Sequence, residues 1–208
     1  MRLLLVDPAG VADLLTAPDH SDSMFFMIPN PFEPFPRIET ARLTLRAPTL
    51  DDEEAMFLVA SDPRVAKYLG RAPATREKTR EKLTKVLEGI RAGTTILWIL
   101  TDRESGAYLG GACLWNWDEA HFRAEVGYDL TPSRWGQGLV TEAMTPILRV
   151  GWERMKLHSL EGRVNPENQG SIRVLEKLGF QKEAHYRENY FNGTSFEDTA
   201  VYSLLAPR

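Results

Sequence analysis

An α/β domain built on one mixed, mostly antiparallel sheet of about six to seven strands is the fold this sequence predicts. Three observations predict it. Helical apolar spacing alternates along the chain with β-branched and aromatic runs. Three strand-like runs, Thr95 to Leu100, Ala107 to Trp117 and Phe122 to Leu130, follow one another across short turns, which implies an antiparallel meander. A fourth run, Ser159 to Val164, comes after a helix and can therefore lie parallel to the third.

The chain has 208 residues, enough for one well-buried core and short for two. Hydrophobic residues make up 43% and charged residues 26%, ordinary for a globular protein. A net charge of −4 argues against a nucleic-acid partner. The single cysteine, Cys113, permits no intramolecular disulfide and no cysteine-based zinc site. The four histidines are scattered without paired spacing, so no metal is expected. The apolar run at Met1 to Val6 is too short for a secretory core, and no stretch is long enough to span a bilayer. A cytoplasmic protein without membrane contact is the expectation.

Residues 1–36 form a zone of turn and breaker residues, read as an N-terminal extension before a domain over 37–208. Val11 to Leu15 can make a helical turn. Pro29, Pro31, Pro34 and Pro36 favour an extended arm carrying Phe32 and Phe35. A loose tail is the preferred reading and a docked arm the alternative.

Leu43 to Arg46 alternates like a strand. Thr49 and Asp52 resemble a capping box opening a helix to about Ala60, which Pro63 breaks. Thr75 caps a charged helix to about Ala92, with Leu83, Val86, Leu87 and Ile90 as its apolar stripe and Gly93 as its stop. Trp115 and Trp117, two apart in one strand, should share a sheet face, by default the core. After the meander, Leu139 to Met155 reads as a helix with Pro146 well inside it, where a kink is expected. Asn165 and Pro166 read as the cap and first turn of the next helix, which Gly179 and Phe180 end. Two last strands, Ala184 to Phe191 and Phe196 to Leu204, meet at the hairpin signal Asn192-Gly193.

The stretch with most chemistry in it is Ser133 to Ala143, where Gly136 and Gly138 flank Gln137 between a strand and a helix. Glycine allows positive φ and close approach, and a helix N-terminus aims several unpaired N–H groups one way. Such a place suits a phosphate or pyrophosphate. On spacing alone, an anion cradle and an ordinary strand-to-helix turn are equally good readings.

Three segments, taken in order, carry a resemblance. They are Ala124-Glu125-Val126-Gly127-Tyr128, then Trp135-Gly136-Gln137-Gly138-Leu139-Val140-Thr141-Glu142-Ala143, then the run from Asn165 to Phe180. Together they resemble the GNAT acetyltransferase superfamily, and most closely its RimJ/RimL-type branch, over Arg37 to the C-terminus. The resemblance implies a sheet whose third strand and the strand after the glycine loop splay apart, with acetyl-CoA in the gap as co-substrate. Tyr128, Asp129 and Leu130 should contact its pantetheine arm. Trp135, Gly136, Gln137, Gly138, Leu139, Val140 and Thr141 should form the pyrophosphate cradle, with N–H groups from Gln137 to Val140. Two positions depart from the family pattern: Trp135, where the superfamily often has Gln or Arg, and Val140, where Gly or Ala would leave more room beside the phosphates.

Acetyl transfer to an amine needs a base, oxyanion donors and an acid for the leaving thiolate. By the resemblance Glu125 is the base, acting through water, against the plainer reading of a solvated carboxylate. Asn168 and Ser171 lie three apart and so share a helix face. In related enzymes an Asn here touches the CoA arm or an ordered water, and the Ser protonates the sulfur. The plainer readings are a helix cap for Asn168 and a hydroxyl bonded to helix carbonyls for Ser171. Cys113 reads as a small core residue and His121 as a turn residue, with a second base as its alternative; for one of Trp115 and Trp117 the alternative to core packing is a wall of the acceptor pocket. The acceptor is an amine, either a peptide N-terminus or a small molecule; a homodimer stays open. The rival from another class is a CoA-binding module without catalysis.

Overall fold

The computed structural model of the protein describes residues 30–68 and 73–207. One sheet of eight strands runs in the order β1-β2-β3-β4-β5-β6-β8-β7. Its strands are β1 (Ile38–Glu39), β2 (Leu43–Arg46), β3 (Ile96–Asp102), β4 (Tyr108–Asp118), β5 (Arg123–Leu130), β6 (Ser159–Val164), β7 (Gln181–Phe191) and β8 (Phe196–Leu205). The helices are α1 (Glu53–Ala60), α2 (Pro63–Tyr68), α3 (Arg76–Ala92), α4 (Leu139–Glu153) and α5 (Gln169–Lys177). β3 to β5 form the expected antiparallel meander, and β2 pairs antiparallel with β3 at its edge. Among the described residues β5 and β6 are the one parallel pair, reached through α4, as the crossover rule requires.

The two sheet faces carry different cores. Ala124, Val126 and Leu130 of β5 point to the face covered by α4 and α5, where Met144, Ile147, Ile172 and Leu175 join them. On the other face Met56 of α1 and Leu83 of α3 close over Leu97 and Ile99. Strand alternation therefore sends Glu125, Gly127 and Asp129 toward the α1–α3 side.

Local signals fix most element ends. The Thr49–Asp52 capping box closes ahead of α1. The Thr75 hydroxyl accepts the Lys78 N–H at the start of α3, and Gly93 stops that helix at φ +72°. α4 runs unbroken through Pro146. Asn192 Oδ1 accepts the N–H groups of Thr194 and Ser195 in the β7–β8 hairpin.

Four readings are corrected. Pro63 does more than end α1: it begins α2, with Asp62 Oδ1 accepting the Arg64 N–H, because proline is pre-shaped for the first helical position. Asn165 does not cap α5. Its Oδ1 accepts the Glu167 N–H in a turn around Pro166, and the cap falls three residues later on Asn168. Trp115 and Trp117 do not share a face. β4 bulges between Trp115 and Asp118, with Asn116 at φ +49°, so alternation fails there. Trp117 packs into the α4–α5 core against Phe32 at 6.4 Å, while Trp115 stays exposed on the other face.

The fourth concerns the arm. From Asn30 onward the segment docks. Asn30 Nδ2 donates to the Ile90 and Arg91 carbonyls at the end of α3. Phe32 is 1% exposed, Phe35 meets the Trp98 ring edge-on at 5.9 Å, and Trp98 Nε1 donates to Pro36 O at 2.7 Å. The reading at Val11 to Leu15 lies outside the described residues.

Candidate active site

β5 and β6 pair over three residues only: Arg123 with Ser159, Ala124 with Leu160, and Glu125 with Glu161. Beyond that point each keeps its outer neighbour. β5 stays on β4 as far as Leu130, and β6 stays on β8 as far as Val164. The inner edges of Val126–Leu130 and Gly162–Val164 are left facing each other without ladder bonds. Such edges offer N–H and C=O groups to an extended, amide-bearing guest. The gap is a cleft of about 880 Å³ that passes through the sheet. Its walls include Tyr128, Gly136 to Thr141, Asn168 and Ser171 from the α4–α5 side. Val65, Tyr68, Trp115 and Glu125 line it from the other side.

At the first mouth, Gly136 and Gly138 hold φ of +74° and +75°. Space is not the reason for glycine. A Cβ at Gly136 would meet nothing within 4 Å, and one at Gly138 only the Arg42 guanidinium at 3.9 Å. Conformation is the reason. Among the described residues, the N–H groups of Gly136 through Thr141 have no backbone acceptor; the helix's own bonds begin with Glu142 N–H to Gly138 O at 3.0 Å. Six consecutive donors at a helix N-terminus make a diphosphate-sized cradle. Val140 is partly buried against the α4–α5 core and also lines the cleft. Trp135 Nε1 donates to Leu130 O at 2.7 Å. This bond ties the loop to β5 and engages a carbonyl that the sequence reading assigned to pantetheine. Asp129 Oδ1 accepts the Gly111 N–H at 3.0 Å, which fixes that side chain to β4.

Glu125 stands at the vertex of the splay, on the last paired residue of β5. Asn116 Nδ2 donates to its Oε1 at 2.7 Å. The bulge and the left-handed backbone at Asn116 aim that amide, a conformation Asn tolerates better than most residues. Across the cleft, Asn168 Oδ1 caps α5 by accepting the Ser171 N–H at 3.0 Å. Ser171 Oγ lies 2.7 Å from the Tyr128 hydroxyl, not on a helix carbonyl. Burial pushes the Tyr128 phenol up to about 12, against the opposing hydrogen bond to Ser171. It therefore stays protonated and can donate at neutral pH.

Sequence reasoning missed Asn116, the side-chain role of Tyr128, and the α2 contribution of Val65 and Tyr68. The Asn116 signal was a polar residue inside an aromatic strand. His121 sits in an exposed turn away from the cleft. Burial pushes the Cys113 thiol up to about 12, so it is a poor nucleophile. Among the described residues no group of three or more His, Cys, Asp or Glu is placed to hold a metal, and no helix is long and apolar enough to cross a membrane.

A sequence profile described as the Acetyltransferase (GNAT) domain matches residues 42–181, two thirds of the chain. The chain belongs to the GNAT acetyltransferase family. Its relatives include an uncharacterized N-acetyltransferase, p20, of Bacillus licheniformis, 33% identical over 168 residues, covering 80% of this chain and 94% of that one. The ribosomal protein uS5-alanine N-acetyltransferase of Escherichia coli is 25% identical over 127 residues, covering 61% and 66%. A solved spermidine N-acetyltransferase from Vibrio cholerae, in complex with CoA and spermine, shares the fold at a TM-score of 0.71 and 21% identity, covering 80% of this chain and 96% of that one. This GNAT protein is an acetyl-CoA-dependent N-acetyltransferase.

Proposed function

We propose that this enzyme acetylates the primary amine of a peptide N-terminus, with Glu125 as base. The observation that carries the proposal is the vertex of the splay. It places a carboxylate where a donor laid along the open edge of β5 would end and where the opposite face of the sheet opens to solvent. Acetyl-CoA enters from the α4 side, its diphosphate on the Gly136–Thr141 amides and its arm along Tyr128 to Leu130. The acceptor enters from the α2 side, past Tyr68 and Trp115. The likeness to a ribosomal-protein N-acetyltransferase supports a peptide over a small amine.

An alkylammonium must shed a proton before it can attack, and Glu125 takes it through a water. The free amine nitrogen then bonds to the thioester carbonyl carbon, and the carbon–sulfur bond breaks. The Ser171 hydroxyl, accepting a hydrogen bond from Tyr128, gives its proton to the departing sulfur, which ends as a thiol, and solvent water returns to Ser171 the second proton that the attacking nitrogen sheds in becoming the amide. The Asn168 carboxamide, anchored through its oxygen, offers its NH₂ to the donor arm.

The test is Glu125→Gln assayed by CoA release with a panel of N-terminal peptides and polyamines. A loss of kcat of about 100-fold or more, with the KM for acetyl-CoA little changed, is the expected result. Unchanged kcat removes Glu125 from the mechanism, and turnover of polyamines alone moves the acceptor to small amines.

A further inference from the structure

The glycine loop raises a physical question. A loop with two left-handed residues and no backbone acceptor for its amides must be held by something else. Arg42, just before β2, holds it. Its Nη1 donates to Gln137 O at 3.0 Å, inside the loop. Its Nε donates to Glu142 Oε2 at 2.7 Å, one helical turn further on, and its own N–H donates to Glu142 Oε1 at 2.9 Å. The Thr40 hydroxyl adds a bond to the same Oε1 at 2.6 Å.

The turn carrying these groups is itself fixed. Leu43 N–H bonds the Thr40 hydroxyl, and Arg103 reaches both the Thr40 and Arg42 carbonyls. Burial pushes the Glu142 carboxyl up, but the bonds from Thr40 and Arg42 outweigh it and leave it below the usual range. Glu142 is therefore a carboxylate at neutral pH, in the first turn of the helix whose N-terminus would receive a diphosphate. Left alone it would repel that anion. Paired with Arg42 it does not.

We infer that Arg42 and Glu142 form a preorganising clamp on the diphosphate cradle, with Arg42 both shaping the loop and cancelling a carboxylate beside the bound phosphates. The inference rests on the acetyltransferase reading. It goes beyond that reading by making these two residues positioning residues for one part of the donor, its diphosphate, and for no other part. A cradle held open before the ligand arrives saves ordering cost on binding.

The test compares two donors. Acetyl-CoA has the diphosphate; S-acetylpantetheine keeps the thioester and arm but lacks it. Arg42→Met should raise the KM for acetyl-CoA about 10- to 100-fold, with kcat at saturation nearly unchanged. The same variant should alter kcat/KM for S-acetylpantetheine by less than about 3-fold, because that donor never meets the cradle. Adding Glu142→Gln to Arg42→Met should recover about 3-fold or more of the lost affinity, since it removes the bare carboxylate. A purely structural role would hurt both donors alike, and the second substitution would deepen the damage; either outcome overturns the inference. Arg42→Lys serves as the folding control, keeping the charge without the fork, with its melting temperature measured alongside. Wild-type protein that turns over S-acetylpantetheine but gains nothing from the diphosphate also overturns the clamp. Wild-type protein that uses neither donor overturns the transferase reading, and the clamp with it.

Discussion

The Tyr128 hydroxyl stands 2.7 Å from Ser171 Oγ, joining the open strand β5 to the first turn of α5. Two elements that border the cleft from opposite sides are thus linked through the group assigned to the leaving sulfur. If Tyr128 orients that serine, the two side chains act as one unit. Tyr128→Phe should lower kcat by about 10-fold, and Ser171→Ala by about 10- to 100-fold. The double variant should be no slower than Ser171→Ala alone. Fully additive losses would mean the two hydroxyls work independently.

Gly138 tests the loop without touching its packing. A Cβ there has room but must sit at φ +75°. Gly138→Ala should cost about 1 kcal/mol of stability and weaken acetyl-CoA binding about 5-fold or more as the amides turn away. Calorimetry of unfolding and of binding reads both. An unchanged affinity would detach the loop from the cofactor.

Much of this arrangement was legible in the residues. Thr75, Gly93 and Asn192-Gly193 act within a few residues of themselves, so their local chemistry sets the result wherever they sit. The parallel β5–β6 pair followed from a helix between two strands. What stayed hidden depends on contacts distant in sequence. The bulge at Asn116 reverses Trp117, and no pattern in that strand announces it. Asn165 and Asn168 are both good caps; Pro166 and the Asx turn decide between them. Arg42 and Glu142 lie a hundred residues apart, and only the folded sheet brings them together. The splay itself is an absence of pairing, which periodicity cannot display. It came from likeness to a family and is visible in the register.

Phe32 shows how firmly residues 30–36 belong to the domain. It is 1% exposed and packs beside Trp117. Phe32→Ala should destabilise the protein by about 3–5 kcal/mol, within the range for large core truncations. Urea unfolding monitored by tryptophan fluorescence measures it. A cost under about 1 kcal/mol would make residues 30–36 peripheral.

Acid stability should report the Arg46–Asp52 pair. Asp52 accepts two bonds from Arg46, at 2.6 and 2.8 Å, and one from the Thr49 N–H at 2.8 Å. Burial pushes its carboxyl up, yet these bonds prevail and hold it below the usual carboxylate range. A folded-state value below the unfolded one gives stability that is complete above the unfolded value and drains away as pH falls through the folded one. Asp52→Asn should therefore lower the melting temperature at pH 7, with the gap to wild type closing below about pH 4. A gap independent of pH would show that the ionised carboxylate contributes nothing.

Cys113 should be dispensable for chemistry. Its thiol is held protonated by burial, and direct transfer needs no acyl-enzyme. Cys113→Ala should keep kcat within about 3-fold of wild type, and intact-mass measurement during turnover should show no added acetyl group. An acetylated Cys113 peptide would replace direct transfer with a two-step route.

The most direct measurement is amide hydrogen exchange with and without acetyl-CoA. A donor lying between β5 and β6, with its diphosphate on the glycine loop, must slow exchange in two separate places: Val126–Leu130 and Gly136–Thr141. Protection confined to those segments is the predicted result. Saturating acetyl-CoA that leaves both segments unchanged while protecting others would contradict the account.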